Sequence, residues 1–526
     1  MRMNRLLPLA LITLMLLAAP AAHAARGFSF GVAAGDVTSS SAVLWGKANK
    51  TGGYSLDVAS NRRFRGLVPH FVVASKRHDN TVQKRIKRLK PNTRYWFRFV
   101  GNHGKRSAVG TFVTAPRASQ SKTIKFAWSG DQDFNPEPGQ TKPYWNDGGV
   151  LRRMKAERNA FNVLLGDTIY SDSEVPNRLF PVAVSKKQKW AKYKVNLGIK
   201  GLRALRGSAG FYSQWDDHEF VNDFSPAENT FDNGVNVNGH TLYNRSMHAF
   251  RDYAPVRWNK RDGLYRKMRW GKNLEIFFLD ERSFRDANAD EGGVCNNPQT
   301  GQPDFAPTLP QNRRSVFAAI YPPFGQPVPK ACTDRIRDPN RTFLGHRQLT
   351  RFLRDVKRSK ARFKVIMNEL AIQQYYINAY DRWEGFEADR QRVLHGLQSV
   401  KNVIFLSTDV HATLANDARF QTFEPGGAKN SGIMDITVGP SATENFSREL
   451  DRATNTPGVG KIADDVFLTP AAPGGIGMRC AVVDQFSYGQ VKVTKRQLTV
   501  TPKDIDGHQL MDNGAPCGPF VLNYSR

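Results

Sequence analysis

The sequence predicts an α/β sandwich preceded by a smaller β-domain. Residues 27–118 contain short alternating strands separated by turn residues, apolar strands then alternate with helical segments, and residues 481–504 are rich in β-branched residues. Alternating strands and helices are typical of layered α/β folds, whereas evenly spaced short strands indicate a β-sandwich. A chain of 526 residues can form two domains, or one large domain with an appendage.

Residues 1–24 have the pattern of an export signal. A basic start is followed by an apolar core from Leu6 to Ala19 and by Ala-His-Ala at 22–24, which is typical of a cleavage site. The two arginines of the start are not adjacent, and this favours Sec-type export over the twin-arginine route. We therefore expect a cleavable signal, a periplasmic or secreted protein, and no transmembrane segment in the mature chain.

Residues 27–118 are predicted to form an N-terminal β-sandwich, and residues 119–526 the catalytic domain. The predicted strands of the first domain are Ser41–Lys47, Gly53–Val58, Thr93–Val100 and Ala108–Thr114. The stretch from Leu89 to Tyr95 is similar to the tyrosine corner of fibronectin-III-type sandwiches, where the Tyr hydroxyl bonds nearby backbone. The basic run at 84–90 either contacts a polyanion or is a solvated strand face.

Five predicted strands of the second domain end in polar residues. They deliver Gly-Asp-Gln at 130–132, Gly-Asp-Thr-Ile-Tyr at 166–170, Asp-Asp-His-Glu at 216–219, Asn at 368 and Thr-Asp-Val-His at 408–411. Because ligands of open α/β sheets bind at the carboxyl ends of the strands, we expect these side chains to meet. Carboxylates with a phenol suit a hard, highly charged metal ion. The alternative is that these acids cap helices and face solvent.

In this order the motifs resemble those of binuclear metallophosphatases in the purple acid phosphatase arrangement. Nearly the whole mature chain resembles the PhoD-like alkaline phosphatase/phosphodiesterase family more closely. The segments that carry this resemblance are FGVAAGDVTSSSAVLW at 30–45, WDDHE at 215–219, LDERSFRD at 279–286, the LG-x-x-Q helix at 344–348 and FLSTDVHA at 405–412. The resemblance implies a four-layer α/β/β/α metallophosphatase sandwich behind a fibronectin-III-like β-sandwich.

The resemblance also implies a ligand set for two or more metal ions. One ion would be held by Asp131, Asp167, Tyr170 and His411. Asp167 would bridge to a second ion, whose other ligands would be Asp217, Asn368 and Asp409. His218 would act on the phosphate as general acid or transition-state donor. Arg282 would either contact the phosphate or pair with a nearby acid, and we count both His218 and Arg282 with Asp217 as catalytic candidates.

Two departures from the family patterns affect the expected metals. Asp217 stands where purple acid phosphatases have Asn, and Asn368 and Asp409 stand where they have His, so the second site has oxygen ligands only. Such a site suits Ca, Mn or Mg, whereas the Asp/Tyr/His site suits ferric iron. Asp131 stands where PhoD-like proteins commonly have Cys, and this makes the first site harder.

The expected activity is hydrolysis of phosphate mono- or diesters by a metal-bound hydroxide that attacks phosphorus in line. The net charge of +29 leaves open a diesterase acting on a polyanionic polymer or phospholipid headgroup, as a nuclease or phospholipase D would. A non-catalytic polyanion-binding protein is the third possibility, and colloidal stability alone would also explain the charge. We expect a monomer.

Three further features leave alternatives open. In the basic helix predicted at 186–206, Trp190 and Tyr193 either line a substrate groove or face the core. The aromatic residues Tyr375, Tyr376, Tyr380 and Trp383 either rim the pocket or form a satellite core. The four cysteines fall into two sequence-local pairs, which in an exported chain favours disulfides Cys295–Cys332 and Cys480–Cys517 over free or metal-binding thiols.

Overall fold

The computed structural model describes residues 27–176, 181–232, 235–319, 321–423, 429–468 and 475–525. The predicted export signal, residues 1–24, lies outside the described residues. Within them no helix is long and apolar enough to cross a membrane.

The regular elements follow one another with strands predominating at both ends of the chain. The strands are β1 Val32–Gly35, β2 Ser41–Lys47, β3 Gly52–Ala59, β4 Val68–Ala74, β5 Thr81–Lys87, β6 Arg94–Val100, β7 Gly110–Val113, β8 Ile124–Ser129, β9 Phe161–Leu165, β10 Gly210–Gln214, β11 Asn229–Asp232, β12 Val235–Asn238, β13 Arg266–Trp270, β14 Leu274–Phe278, β15 Phe363–Met367, β16 Val403–Ser407, β17 Thr413–Arg419, β18 Asn430–Thr437, β19 Cys480–Val482, β20 Ser487–Val493, β21 Gln497–Asp504, β22 Met511–Asp512, β23 Ala515–Pro516 and β24 Phe520–Asn523. The helices are α1 Gly149–Ala156, α2 Lys186–Gly198, α3 Lys200–Ser208, α4 Gly239–Tyr253, α5 Gln311–Phe317, α6 Lys330–Arg337, α7 His346–Lys357, α8 Glu387–Leu397, α9 Phe446–Thr454 and α10 Val459–Ile462.

Two large sheets pack face to face at the centre of the protein. In the described residues the first has the order β24-β21-β20-β8-β9-β10-β1-β2-β5 and the second β13-β14-β15-β16-β18-β17-β19. Strands β8, β9 and β10 are parallel in the first sheet, as are β14, β15, β16 and β18 in the second. Apolar side chains of both sheets, such as Phe161 and Trp270, fill the space between them.

Helices cover the outer faces of both sheets and complete four layers. The first sheet packs against α1 to α4, with residues such as Leu151 and Leu205 in the interface. The second packs against α7 and α8 through residues such as Phe352 and Leu394. Amphipathic helices bury one apolar stripe against a sheet, and this is the arrangement expected from the helical periodicity at 348–356. The predicted four-layer α/β/β/α sandwich is confirmed.

The N-terminal β-rich region shares a sheet with the rest of the protein. Its four-stranded sheet, β4-β3-β6-β7, packs through Leu56 and Phe97 on β1, β2 and β5. Those three strands also extend the first large sheet, because β1 pairs in parallel with β10. The sequence gives no sign of this continuity, and the boundary at residues 118 and 119 stays a prediction. The backbone N–H of Lys90 donates to the Tyr95 hydroxyl at 2.9 Å, as a tyrosine corner does.

The two predicted disulfides are present. Cys295 bonds Cys332 and Cys480 bonds Cys517, and each closes a loop with a sequence separation of 37 residues. In the chain-entropy model a loop of this length contributes about 3 to 4 kcal/mol to the free energy of unfolding. The first disulfide lies in the long segment between β14 and β15.

Candidate metal centre

The carboxyl ends of strands from both sheets meet at one edge of the sandwich. Thr408 Oγ1, after β16, donates to the Leu165 carbonyl at the end of β9, at 2.6 Å. The Asp409 backbone N–H donates to Asp131 Oδ1 at 3.2 Å. These bonds join the two sheets where the predicted ligands lie, so the two halves of the site come from the two sheets, as the strand-end pattern predicts.

The first group of predicted ligands converges on one point. Carboxylate oxygens of Asp131 and Asp167 and a ring nitrogen of His411 lie within 4.8 Å of one another. The Tyr170 hydroxyl lies 2.8 Å from His411 Nε2 and donates to Asp167 Oδ2 at 3.4 Å. All four residues are buried. The structure therefore brings together every residue that was predicted to hold the first metal.

Asp167 also belongs to a second group. Ligand atoms of Asp167, Asp217 and His218 lie within 4.8 Å of one another, and so do those of Asp216, Asp217 and Asp409. A third set joins Asp217 to Asp223 and Asp381. Asp167 thus lies between the first group and the predicted second site.

Backbone conformation marks the same residues. Asp131, Asp167, Asp409 and His411 have φ values of 58°, 46°, 69° and 54°. Residues other than Gly rarely adopt this left-handed backbone conformation, and those that do cluster at functional sites. The sharp turns after β8, β9 and β16 thereby direct these side chains into one pocket.

Burial and mutual repulsion raise the pKa values of the strand-end acids. Desolvation is the largest cause for Asp131, Asp167 and Asp409, whose pKa values lie well above the usual value; neighbouring carboxylates, Asp216 among them, add to the rise. Burial lowers the pKa of His411, and its imidazole is therefore neutral, the form that binds metals. A bound cation would favour the ionised acids and reverse their shifts.

The pKa of His218 shifts in the opposite direction to that of His411. Its Nδ1 lies 2.6 Å from Asp172 Oδ1, and its ring stacks on Tyr170 with 3.9 Å between the centroids. Burial lowers its pKa, but the charges of Asp172, Asp217 and Asp167 outweigh burial and raise the pKa well above the usual value. These surroundings favour the protonated form of His218. Asp172 was missed by the sequence analysis, although it follows Tyr170 by only two residues.

Asn368 follows β15 as predicted, but its amide is already bonded. Its Oδ1 accepts a hydrogen bond from Trp383 Nε1 at 3.1 Å, and its Nδ2 donates to the Leu370 carbonyl. The residue does not line the pocket that Asp217 and Asp409 share. Metal binding by Asn368 would have to use the second lone pair of Oδ1. Two acids that were not anticipated, Asp223 and Asp381, have carboxylate oxygens within 4.8 Å of one of Asp217.

The geometry separates the two roles considered for Arg282. Its guanidinium is fully buried, donates to both oxygens of Asp381 at 2.6 Å and reaches Asp216 Oδ1 at 2.5 Å. Its Nη2 lies 3.7 Å from Asp217 Oδ1. Arg282 thus pairs with acids around a predicted ligand, while Arg382 lines the pocket.

Three groups of residues are packed in the interior rather than exposed on a substrate groove, a pocket rim or a cationic surface. Trp190 and Tyr193 pack in the core beneath the first sheet. The basic segment forms two helices, α2 and α3, and Lys189 is buried instead of lying on a cationic surface: its Nζ donates to Ser171 Oγ at 2.8 Å and to the carbonyls of Glu219 and Phe220 at 2.9 Å. The aromatic residues for which a pocket rim or a satellite core was considered are all buried, namely Tyr375, Tyr376, Tyr380 and Trp383.

The side chains at this edge fit metal ions. Among the described residues, no hydrogen-bond partner faces the buried atoms Asp131 Oδ2, Asp216 Oδ2 and His411 Nδ1. Buried carboxylate oxygens without partners cost free energy, and hard cations offset that cost. The donor set of carboxylates, one phenol and one imidazole matches such ions. The fold and these side chains therefore agree with a metal centre at this edge of the sandwich.

Comparison with known proteins places the chain in a family. Residues 139–501 match the PhoD-like phosphatase family and residues 16–116 its N-terminal domain. The chain belongs to the PhoD-like phosphatases and is a hydrolase acting on phosphate esters.

Individual relatives agree with this assignment. Alkaline phosphatase D of Bacillus subtilis is 25% identical over 466 residues, which cover 81% of this chain and 71% of that protein. A solved structure of PhoD superposes with a TM-score of 0.69 at 20% identity and covers 96% of this chain and 90% of its own. A purple acid phosphatase from yellow lupin (Lupinus luteus) seeds has the same fold, with a TM-score of 0.54 at 11% identity, over 92% of this chain and 72% of its own.

Proposed function

We propose that the protein is an exported phosphoesterase that hydrolyses phosphate mono- or diesters at two or more metal ions. The observation that carries this proposal is the position of Asp167, which belongs both to the group with Asp131 and His411 and to the group with Asp217. A carboxylate shared by two ligand sets can bridge two cations. Such a pair of ions is a common arrangement for displacement at phosphorus.

The two sites would take different ions. Asp131, Asp167, Tyr170 and His411 would hold ferric iron, because phenolate and carboxylates are hard ligands. Asp217 and Asp409, with Asn368, offer only oxygen and would hold Ca, Mn or Mg. Bound cations supply positive charge to the phosphoryl oxygens and lower the pKa of a bound water.

His218 would donate a proton to a phosphate oxygen or to the leaving group. Asp172 holds its Nδ1, so the proton available for transfer is on Nε2, which lies 3.9 Å from Glu174 at the pocket. Of the described residues that line this pocket none is Ser, Thr or Cys. The absence of these hydroxyl and thiol nucleophiles from the described lining supports direct attack by water over a covalent intermediate on Ser, Thr or Cys.

Release of nitrophenolate from a nitrophenyl monoester and from a bis-nitrophenyl diester tests the proposal. We expect the purified protein, with its metals, to hydrolyse at least one of them and to lose the activity on chelation. Hydrolysis of neither ester by metal-loaded protein would refute the proposal and would favour the non-catalytic polyanion-binding alternative.

A second candidate is a diesterase for a polyanionic polymer such as nucleic acid or teichoic acid. The net charge of +29 and the exposed residues Lys84, Arg85 and Lys87 on β5 favour it. Counterion release makes binding of a polyanion steeply salt-dependent. We expect KM for the polymer to rise with salt much more than KM for the small diester. Equal salt slopes would contradict this second candidate.

Export through a Sec-type signal is part of the proposal. Two disulfides in a chain of this size support a periplasmic or secreted location, because cytosolic thiols are kept reduced. We expect the exported protein to be a monomer, which sedimentation of the purified chain would check.

A further inference from the structure

A second pocket lies beside the metal centre and is lined almost entirely by apolar side chains. It is a cavity of about 90 Å³ between the segment around α5 and the helices α9 and α10. Its walls include the aromatic residues Phe305, Phe317, Tyr321, Phe324 and Phe467. None of the described lining residues carries a charge. This pocket cannot neutralise a phosphate group, and it suits an uncharged apolar group.

The apolar pocket adjoins the metal centre. Phe305, Ile377 and Leu450 line both the apolar pocket and the pocket that holds Asp167, Asp217 and His411. A ligand can therefore place a charged group among the acids while an attached apolar group lies against the shared side chains.

The far side of the apolar pocket opens to solvent. Ile462, one of its lining residues, is 41% exposed, and Val316 and Val466, next to lining residues, are 66% and 47% exposed. Ile462 therefore gives the apolar lining an exposed edge.

The wall of this pocket is held in place before any ligand binds. Arg314 on α5 is buried and donates to both oxygens of Asp304 at 2.7 Å, and the Tyr380 hydroxyl donates to the Asp304 carbonyl at 2.7 Å. The Cys295–Cys332 disulfide closes the same segment. Because little of the wall has to be ordered on binding, burial of an apolar group contributes most of its free energy to affinity.

We propose that the substrate is an amphiphilic phosphate ester, whose phosphate binds at the metal centre while an apolar chain or ring on one ester oxygen fills the adjacent pocket. This inference rests on the proposed function for the placement of the phosphate. It adds a substrate class: esters with an apolar alcohol bind better than those with a small or charged one.

Equilibrium binding of alkylphosphonates tests the pocket without requiring turnover. Methyl-, hexyl- and phenylphosphonate would be titrated calorimetrically into the metal-loaded full chain. Each buried methylene improves affinity by about threefold to fourfold, so we expect hexylphosphonate, phenylphosphonate or both to bind at least tenfold tighter than methylphosphonate. The hexyl and phenyl arms distinguish a chain from a ring. Equal affinity for all three compounds would overturn the inference.

Two matched variants show where the apolar group binds. Ile462→Asp introduces a charge at the open side of the pocket and should reduce the hexyl-to-methyl affinity ratio to near one, whereas Ile462→Leu should keep it. Val521→Asp is the control, because Val521 is 42% exposed on β24 and lines neither pocket. An unchanged ratio in Ile462→Asp would place the chain elsewhere and contradict the proposal.

Turnover separates this inference from the proposed function. Hydrolysis of nitrophenyl methyl and nitrophenyl hexyl phosphate should show the same preference in kcat/KM. If hexylphosphonate binds preferentially but neither diester is hydrolysed, binding of an apolar group in the pocket is supported and the phosphoesterase proposal is refuted. If both diesters are hydrolysed at equal kcat/KM and the phosphonates bind equally, the phosphoesterase proposal is supported and the preference for an amphiphilic substrate is refuted.

Discussion

Two regions of this protein bury carboxylates in opposite ways. Asp304, beside the apolar pocket, accepts hydrogen bonds from both guanidinium N–H groups of Arg314, and Asp381, which lines the pocket of the metal centre, accepts those of Arg282. At the strand ends, Asp131, Asp167 and Asp409 lie among other acids. Burial raises the pKa of Asp381, but Arg282 and Arg285 outweigh burial and lower it, whereas the strand-end acids keep raised pKa values.

The difference shows which acids serve the fold and which serve a ligand. A buried carboxylate that accepts hydrogen bonds from two N–H groups of one arginine, as Asp304 and Asp381 do, is neutralised by the chain itself. A buried carboxylate whose neighbours are other acids is stable as an anion only when a cation comes from outside. The strand-end acids are therefore the part of the core that folding alone does not stabilise, and metal binding would supply the missing charge.

Asp167→Asn should have the largest effect on activity. Loss of the shared negative charge weakens both metal sites, so we expect kcat/KM for a nitrophenyl ester to fall by about a thousandfold or more, with loss of bound metal. Asp147→Asn is the matched control, because the Asp147 side chain is 73% exposed. Unchanged turnover and metal content in Asp167→Asn would refute the shared-ligand assignment.

Asp304→Asn is the same chemical change as Asp167→Asn, but it should reduce stability and leave the metal content unchanged. It leaves the buried guanidinium of Arg314 without its counter-charge, and breaking such a pair costs about 3 to 5 kcal/mol of the free energy of unfolding. Urea titration measures that loss, and elemental analysis of the folded fraction should show the wild-type metal content. A loss of metal without a loss of stability would mean that the two classes of acid are not distinct.

Removal of the metals should make stability depend on pH. Acids with raised pKa values in the folded state stabilise it below their unfolded pKa and lose that contribution as pH rises. In chelated protein the free energy of unfolding should therefore fall between about pH 4, the unfolded value, and about pH 7, to which burial raises the pKa of Asp216. The fall is about 1.4 kcal/mol per group for each pH unit. In metal-loaded protein the free energy of unfolding should not change over this pH range. The same pH dependence with and without metal would contradict the distinction between the two classes of acid.

Asp172→Asn should have a smaller effect, confined to the pH dependence. Asp172 is the largest charge that raises the pKa of His218, so its neutralisation should move the alkaline limb of kcat/KM to lower pH by about one unit or more. The metal content should stay unchanged. An identical pH profile in Asp172→Asn would remove His218 from the role of proton donor.

The sequence was sufficient to predict the elements that repeat a simple pattern. Asp131, Asp167, Asp217 and Asp409 each follow a buried strand, and the topology of parallel sheets brings such positions together. Asp223, Asp381 and Asp172 were not predicted, because they lie in loops whose position depends on tertiary contacts. For Lys189 the composition was misleading, because nothing local shows that this one of the five lysines of α2 donates hydrogen bonds to buried carbonyls. The partner of Arg282 was likewise undecided until Asp381, 99 residues away, was placed.

The most direct test of the central claim is the ratio of metal to protein, measured by elemental analysis together with the visible spectrum. We predict at least two ions per chain, iron and a divalent ion among them, and a visible charge-transfer band that Tyr170→Phe abolishes because the phenolate ligand is lost. Fully active protein that contains less than about 0.1 metal ion per chain would contradict the assignment of the strand-end carboxylates as a metal centre.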